Sequence, residues 1–257
     1  MSGMIAVRLG EQAKTLAERY PSKLKYSAQP AGLDFLGAKW TGQSLGAIEI
    51  QHGQVSLHLD RVLTMDATQD ASSFNDEGVT EIDVNMQLTD QDLIGHDEAR
   101  QGFLGFLQAL KQGGWMSTIE RGMPRISGRD RFMHVLDHSS AMGLDAEYTP
   151  TLTEWMRIES QTPWGFWRDG AYLEVSFMRE HTLLDPVKPG AYVVTLRVRT
   201  AREEARSLVE PENRDRWQEH LPEVLKQLDW AREKKEQELG ARGITIQKDY
   251  RDPPLVN

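Results

Sequence analysis

Gly42-Gln43-Ser44-Leu45-Gly46 matches G-x-S-x-G, the pattern that presents a nucleophilic serine on a sharp turn in lipases and esterases. That chemistry needs a strand before the serine and, directly after it, a helix packing back on a parallel sheet. "LDFLGAKW" supplies the strand. After Ser44 comes "LGAIEIQHGQVSLHLD", in which Val55, Leu57 and Leu59 alternate with Ser56 and His58 around a His52-Gly53 turn. Such alternation is a hairpin with one buried face, and no helix of ordinary length fits between Ser44 and Gly53. Ser44 is therefore expected in a glycine-rich turn and not in a nucleophile elbow. A hydrolase using Ser44 stays as the alternative reading.

Three further groups of residues could carry chemistry. His134 and His138 would share one helical face, a spacing that can bind zinc, but Val135 stands where HExxH needs its glutamate. No third ligand is evident, so a solvated or capping pair is expected and no metal is predicted. Asp66, Asp70, Asp76, Glu77 and Glu81 gather in or beside "TMDATQDASSFNDEGVT", which lacks the D-x-[DN]-x-[DN]-G spacing of a calcium loop. This polar run reads as a long exposed loop, solvated by default and the first candidate for meeting a positive cleft. Arg121, Arg125, Arg129 and Arg131 lack interleaved aromatics, so ion pairing accounts for them better than nucleic-acid binding. Neither G-x-x-x-x-G-K-[ST] nor a strand-flanked G-x-G-x-x-G occurs, and no cofactor is predicted.

Large aromatics crowd residues 155–172: Trp155, Trp164, Phe166, Trp167 and Tyr172. Such residues are core anchors or interface hot spots, and the core is the commoner place. Alternation puts Phe166 opposite Trp167, so one of the two is expected to face outward unless both faces are covered. Trp164 and Trp167 are retained as candidate interface anchors.

The elements that must position these residues follow from periodicity. Residues 9–20 read as an amphipathic helix stopped by Pro21, and residues 45–59 as the hairpin above. "TEIDVNM" (80–86) reads as a strand and 95–112 as the clearest helix, with Ala99, Phe103, Phe106, Leu107 and Leu110 in one stripe and Gly113-Gly114 as its stop. An irregular stretch, a short helix at 130–137 and a capping box at Thr151 and Glu154 come next. "WGFWRDGAYLEVSFMRE" is a hairpin through Asp169-Gly170, paired with 190–200. Helical segments fill 201–239, with Pro222 expected at a break or a helix start, before a short "ITIQ" strand. The fold class expected is α+β, with antiparallel hairpins packed against several amphipathic helices. It forms one domain over 1–257, or two subdomains near 1–93 and 94–257.

Composition bounds the function. The chain has 257 residues, 39% hydrophobic and 27% charged, enough for a folded protein with a substantial core. Its formal charge of −9 disfavours a nucleic-acid partner and weakly favours a basic protein. Without cysteine there is no disulfide, thiolate zinc site or cysteine nucleophile. No stretch approaches the ~20 apolar residues of a membrane span. "MSGMIAVRLGEQAKTLAERY" has no apolar core of signal-peptide length. The expected location is periplasmic if a leader or anchor has been removed, otherwise cytoplasmic.

"GFLQALKQGGW", "PRISG", "YTPTLTEWM", "WGFWRDGAYLEVSFMRE" and "YRDPPLV" together resemble Tli-type immunity proteins of type VI secretion effector–immunity pairs, encoded beside secreted lipase-type toxins in Gram-negative bacteria. The resemblance runs over about residues 95–255. It implies a non-enzymatic protein that binds a cognate antibacterial toxin and blocks its active site or substrate entry, and it carries no catalytic residues to transfer. Under it, Asp66, Asp70, Asp76, Glu77, Trp164 and Trp167 are the candidate toxin contacts. An adaptor that carries the toxin without inhibiting it is a further alternative.

Overall fold

Period-two alternation along four neighbouring strands sorts the side chains onto two faces, and the rest of the architecture follows from that sorting. The computed structural model describes residues 4–41, 44–138 and 142–255. In chain order the elements are β1 (Ile5–Arg8), α1 (Ala13–Arg19), β2 (Lys25–Ala28), β3 (Leu33–Lys39), β4 (Gly46–His52), β5 (Val55–Asp70), β6 (Val79–Met86), β7 (Ile94–Gly95) and α2 (His96–Gln112). Then come β8 (Met116–Ser117), α3 (Gly128–His138), α4 (Leu152–Arg157), β9 (Trp164–Arg168), β10 (Ala171–Arg179), β11 (Pro189–Gly190), β12 (Tyr192–Thr200), α5 (Ala201–Ser207) and α6 (Trp217–Ala241).

Ten strands form one mixed sheet in the order β1-β4-β5-β6-β12-β10-β9-β8, with β3 also on β5 and β2 on β3. Among the described residues only the β1–β4 pair is parallel. The sheet crosses the boundary expected near residue 93, because β6 pairs antiparallel with β12. This is the α+β class that the sequence predicts, with strands and helices built from the same chain regions.

Registers across the sheet define rungs. Leu36, Ala67, Ile82, Val198, Leu173 and Phe166 are successive cross-strand partners, and so are Ala38, Met65, Val84, Leu196, Val175 and Trp164. All twelve are buried. They join one cluster with Leu16 of α1, Phe103 and Leu107 of α2, Phe132 and Val135 of α3 and Trp155 of α4. At its heart Phe103 packs its ring 4.8 Å from Trp164, 5.4 Å from Phe177 and 5.6 Å from Trp155, the tilted and edge-on contacts that aromatic rings favour. A second cluster, made by Ala205, Val209, Trp217, Leu221 and Leu255, packs against Tyr172 and Phe74. Tyr172 points opposite to Leu173, so α5 and the start of α6 sit over the other face of the sheet.

Several expectations need correction. The run 64–80 is not a loop throughout: β5 extends to Asp70, so Asp66 and Asp70 are strand residues. Met65, Ala67 and Gln69 carry the inward alternation, hidden in the sequence because Gln69 is polar. Gln69 is only 2% exposed, its Oε1 accepting from Ala13 N at 2.9 Å and its Nε2 donating to Gln12 Oε1 and Asn75 Oδ1. The helix expected over 9–20 begins only at Ala13: Leu9 N is tied to Gln51 O at the end of β1, and Gly10 turns the chain at φ 88. Residues 244–247 form no strand. The helix α6 runs through Pro222, which lies in its second turn and forgoes one backbone bond.

The two hairpin turns and the capping box match what is observed. The hairpin expected over 45–59 pairs His52 with Val55, and Asp169 and Gly170 both take positive φ, as a tight primed turn requires. Glu154 N donates to Thr151 Oγ1 while Thr151 N donates to Glu154 Oε2, completing the capping box. Replacing Gln69 with Leu keeps the volume but strands the Ala13 amide. The denaturant midpoint should fall by an amount equivalent to about 1–3 kcal/mol, and an unchanged midpoint would contradict the assignment.

Candidate functional site: the polar face of the sheet

The residues between the apolar rungs make three polar ones. Asp66, Asp83, Arg197, Glu174 and Gly165 are successive partners across β5, β6, β12, β10 and β9. On one side of that rung run Phe35, Thr68, Glu81, Arg199, Tyr172, Trp167 and Met116, and on the other Lys39, Thr64, Asn85, Thr195 and Ser176. Strand alternation alone put them on one face, but only the register puts them in line.

Hydrogen bonds knit the rungs. Asn85 Nδ2 donates to Thr64 Oγ1 at 2.9 Å and Thr195 Oγ1 donates to Asn85 Oδ1 at 2.9 Å. Arg197 Nε donates to Asp83 Oδ1 at 2.8 Å, and Arg199 Nε to Glu81 Oε2 at 2.5 Å. Arg199 also reaches Glu204 of α5 at 3.3 Å. Burial would lower the Arg199 pKa, but Glu81 and Glu204 more than offset that and hold it up. Cross-strand pairs of this half-exposed kind contribute at most about 1 kcal/mol each. Their larger effect is to fix which charges stay free.

Three carboxylates are in surplus. Among the described residues Asp66, Glu120 and Glu174 have no ion-pair or hydrogen-bond partner, whereas Arg197, Arg199, Arg206 and Arg214 are all matched by acids. Burial, then the neighbouring Asp83, pushes the Asp66 carboxyl up. Beneath α5 a cavity of about 430 Å³ is walled by Glu120, Gly165, Tyr172, Glu174, Arg199 and Glu204. Glu120 keeps an exposed surface at its mouth, yet loss of hydration, then Glu204 and Glu174, push its carboxyl up to about 7. Solvent at the mouth screens part of that push, and its upward direction is what the charge balance uses. Burial also raises Glu204, and it raises the Tyr172 phenol to about 12, so that hydroxyl stays a donor to Pro253 O at 3.1 Å. A second cavity of about 460 Å³ shares Arg197, Arg199 and Ser207 with the first, making one groove along the face.

The residues singled out from sequence divide sharply. Asp66 and Trp167 stand on this face; the Trp167 indole Nε1 is buried with no partner among the described residues. Trp164 is 1% exposed on the opposite side, inside the aromatic core, so it presents nothing to a partner. The Asp70 carboxylate closes a turn by accepting from Ser72 N at 3.1 Å and Ser73 N at 2.9 Å. Asp76 is exposed in a short 3-10 turn, and Glu77 beside it pairs with the buried Arg206 at 2.7 Å. These acids do not converge on one site.

Ser44 is exposed and leads directly into β4, with no helix after it; Gly42 and Gln43 of its motif lie outside the described residues. His134 and His138 stack at 4.4 Å, with His138 Nδ1 at 2.9 Å from His134 O. Among the described residues no three His, Cys, Asp or Glu come together to hold a metal ion. Arg121, Arg125 and Arg129 pair with Asp252, Glu236 and Glu154, while Arg131 is buried and donates to the carbonyls of Thr118, Met142 and Gly143. Among the described residues no helix is long and apolar enough to cross a membrane. Sequence reasoning missed Glu174 and Asp83, whose signal lies in strand register rather than in any local motif, and Glu120, which lies after β8 and in no strand.

Folded-state protonation of Glu120 has a testable sign. Its pKa is near 7 when folded and near the ordinary 4.5 when unfolded, so between those values the native state holds more protons and stability falls as pH rises. Thermal unfolding across pH 5–8 should show that decline, and Glu120→Gln should flatten it and raise Tm at pH 8. A variant with an unaltered pH profile would remove Glu120 from the charge balance.

No protein-family model matches the chain, and comparison with curated proteins and with solved structures yields no match.

Proposed function

We propose that this protein is an immunity protein: it binds a cognate secreted antibacterial toxin, of the lipase type delivered by type VI secretion, and neutralises it by covering the toxin's active site. The observation that carries a binding role is the open polar face of the sheet. It is grooved, rigidly held from below by the core, and set with Arg, Tyr and Trp, the residues enriched in binding hot spots. The identity of the partner rests on the sequence resemblance over about residues 95–255. Steric occlusion needs no catalytic group on the inhibitor's side; it needs shape, charge complementarity and a few anchors.

Asp66 is the site to alter, because Asp70 and Glu77 hold up local structure and Asp66 does not. Co-expression with the toxin encoded in the neighbouring reading frame should restore growth of toxin-producing cells, and the two proteins should co-purify. Asp66→Lys should weaken the complex about tenfold and flatten its salt dependence. Absence of both rescue and co-purification would end the proposal.

A further inference from the structure

The groove on the polar face has a charge problem that the protein does not solve internally. Each arginine on it is paired, so its side of the ledger is closed: Arg197 with Asp83, Arg199 with Glu81 and Glu204, Arg206 with Glu77 and Glu203, and Arg214 with Glu203. Glu120 and Glu174 remain, facing the same 430 Å³ cavity from two different elements. Glu174 projects from the middle of β10, and Glu120 from the segment after β8.

The cavity leaves space for an occupant. Gly165, the β9 member of the rung that contains Glu174, lies in its wall, where its missing side chain makes room for Thr118, whose Oγ1 would sit 2.5 Å from a Cβ there. The floor is the sheet, one wall is α5 carrying Glu204, and Tyr172 is held by the C-terminal tail through its bonds to Pro253 O and Pro254 O. Aromatic and apolar side chains flank the groove along the neighbouring rung: Phe35 at 38% exposure at one end, Met116 at 54% at the other.

We propose that this groove docks a polypeptide partner through an arginine whose guanidinium is seated between Glu120 and Glu174. The inference rests on the binding role given above and names the group that the partner must present. Charge complementarity favours a cation. A guanidinium suits better than a compact ion, because its planar fork can engage two separate carboxylates, whereas among the described residues no three ligands come together for a metal. The groups facing the guanidinium are Glu120, Glu174 from β10, Glu204 from α5, Arg197 and Arg199 from β12, Arg121 and Tyr172. Loss of hydration pushes the Glu120 carboxyl up to about 7, and a seated cation would draw its proton off.

Agmatine, a guanidinium on a short alkyl chain, is the probe, followed by NMR on the whole protein. Saturable shifts are expected at the Gly165 amide and the Tyr172 ring, tighter at pH 8 than at pH 5.5. Glu120→Gln/Glu174→Gln should weaken binding at least tenfold. Glu174→Gln alone, at an exposed site, should weaken it severalfold and serves if the double variant does not fold. Shifts confined to other surfaces, equal affinity in the variants, or butylamine binding as tightly as agmatine would overturn the proposal. The two readings fail separately. A toxin that binds the double variant as well as the native protein overturns the docking inference alone. Agmatine binding here without any toxin complex leaves the groove standing and removes the toxin.

Discussion

Pairing between β6 and β12 is the joint on which the structure depends. It ties the first half of the chain to the second, and its register, Asp83 against Arg197 and Glu81 against Arg199, is continued on one side by β5 and on the other by β10. A slip of one residue would turn either Ile82 and Val84 or Leu196 and Val198 away from the core and drive the two acids or the two arginines of that strand into it. The burial of those four side chains, worth roughly 1.5–3 kcal/mol each when fully removed from water, therefore fixes the position of every charge on the opposite face. The ion pairs are weak by themselves. They are placed by the hydrophobic effect, and they decide which charges remain.

That division of labour gives an acidic protein a sheet with one apolar face and one ordered polar face. The apolar face accepts α1 to α4 into one continuous core, while α5, the start of α6 and the C-terminal tail cover only part of the polar face, leaving a groove. Arg232 anchors the tail, donating to Asp252 at 2.6 Å and to Met123 O at 2.8 Å, so the wall that holds Tyr172 is set by contacts remote from the groove. Rigid floors and walls reduce the ordering cost of association, which is the condition for tight binding through a modest area.

Much of the fold was legible in the sequence. Helix α2, the hairpins at Gly53 and Asp169-Gly170 and the capping box at Thr151 each carry a local signal with its own mechanism. The second half of β5 did not, because alternation there is written with Met65, Ala67 and Gln69, and a buried glutamine reads as surface until its partners Ala13, Gln12 and Asn75 are known. The surface was less legible than the core. Asp66 and Trp167 stand on the polar face, but grouping Asp66 with Asp70, Asp76 and Glu77 followed nearness in sequence, while the sheet groups it with Asp83, Arg197 and Glu174. Trp164 and Trp167 illustrate the same point: three residues apart on a strand, they face opposite ways, and only packing against Phe103 shows which one is inside. Glu120 carries no sequence signal, since its environment is assembled from β10, β12 and α5.

The most direct test of the central claim, that the polar face of the sheet is the working surface, is hydroxyl-radical footprinting of the protein alone and in complex with its partner. Phe35, Met116, Trp167 and Tyr172 should lose reactivity on binding, while Trp230 and Val187, exposed at 66% and 87% elsewhere, keep theirs. Protection of Trp230 or Val187 with the sheet-face side chains unchanged would contradict the account.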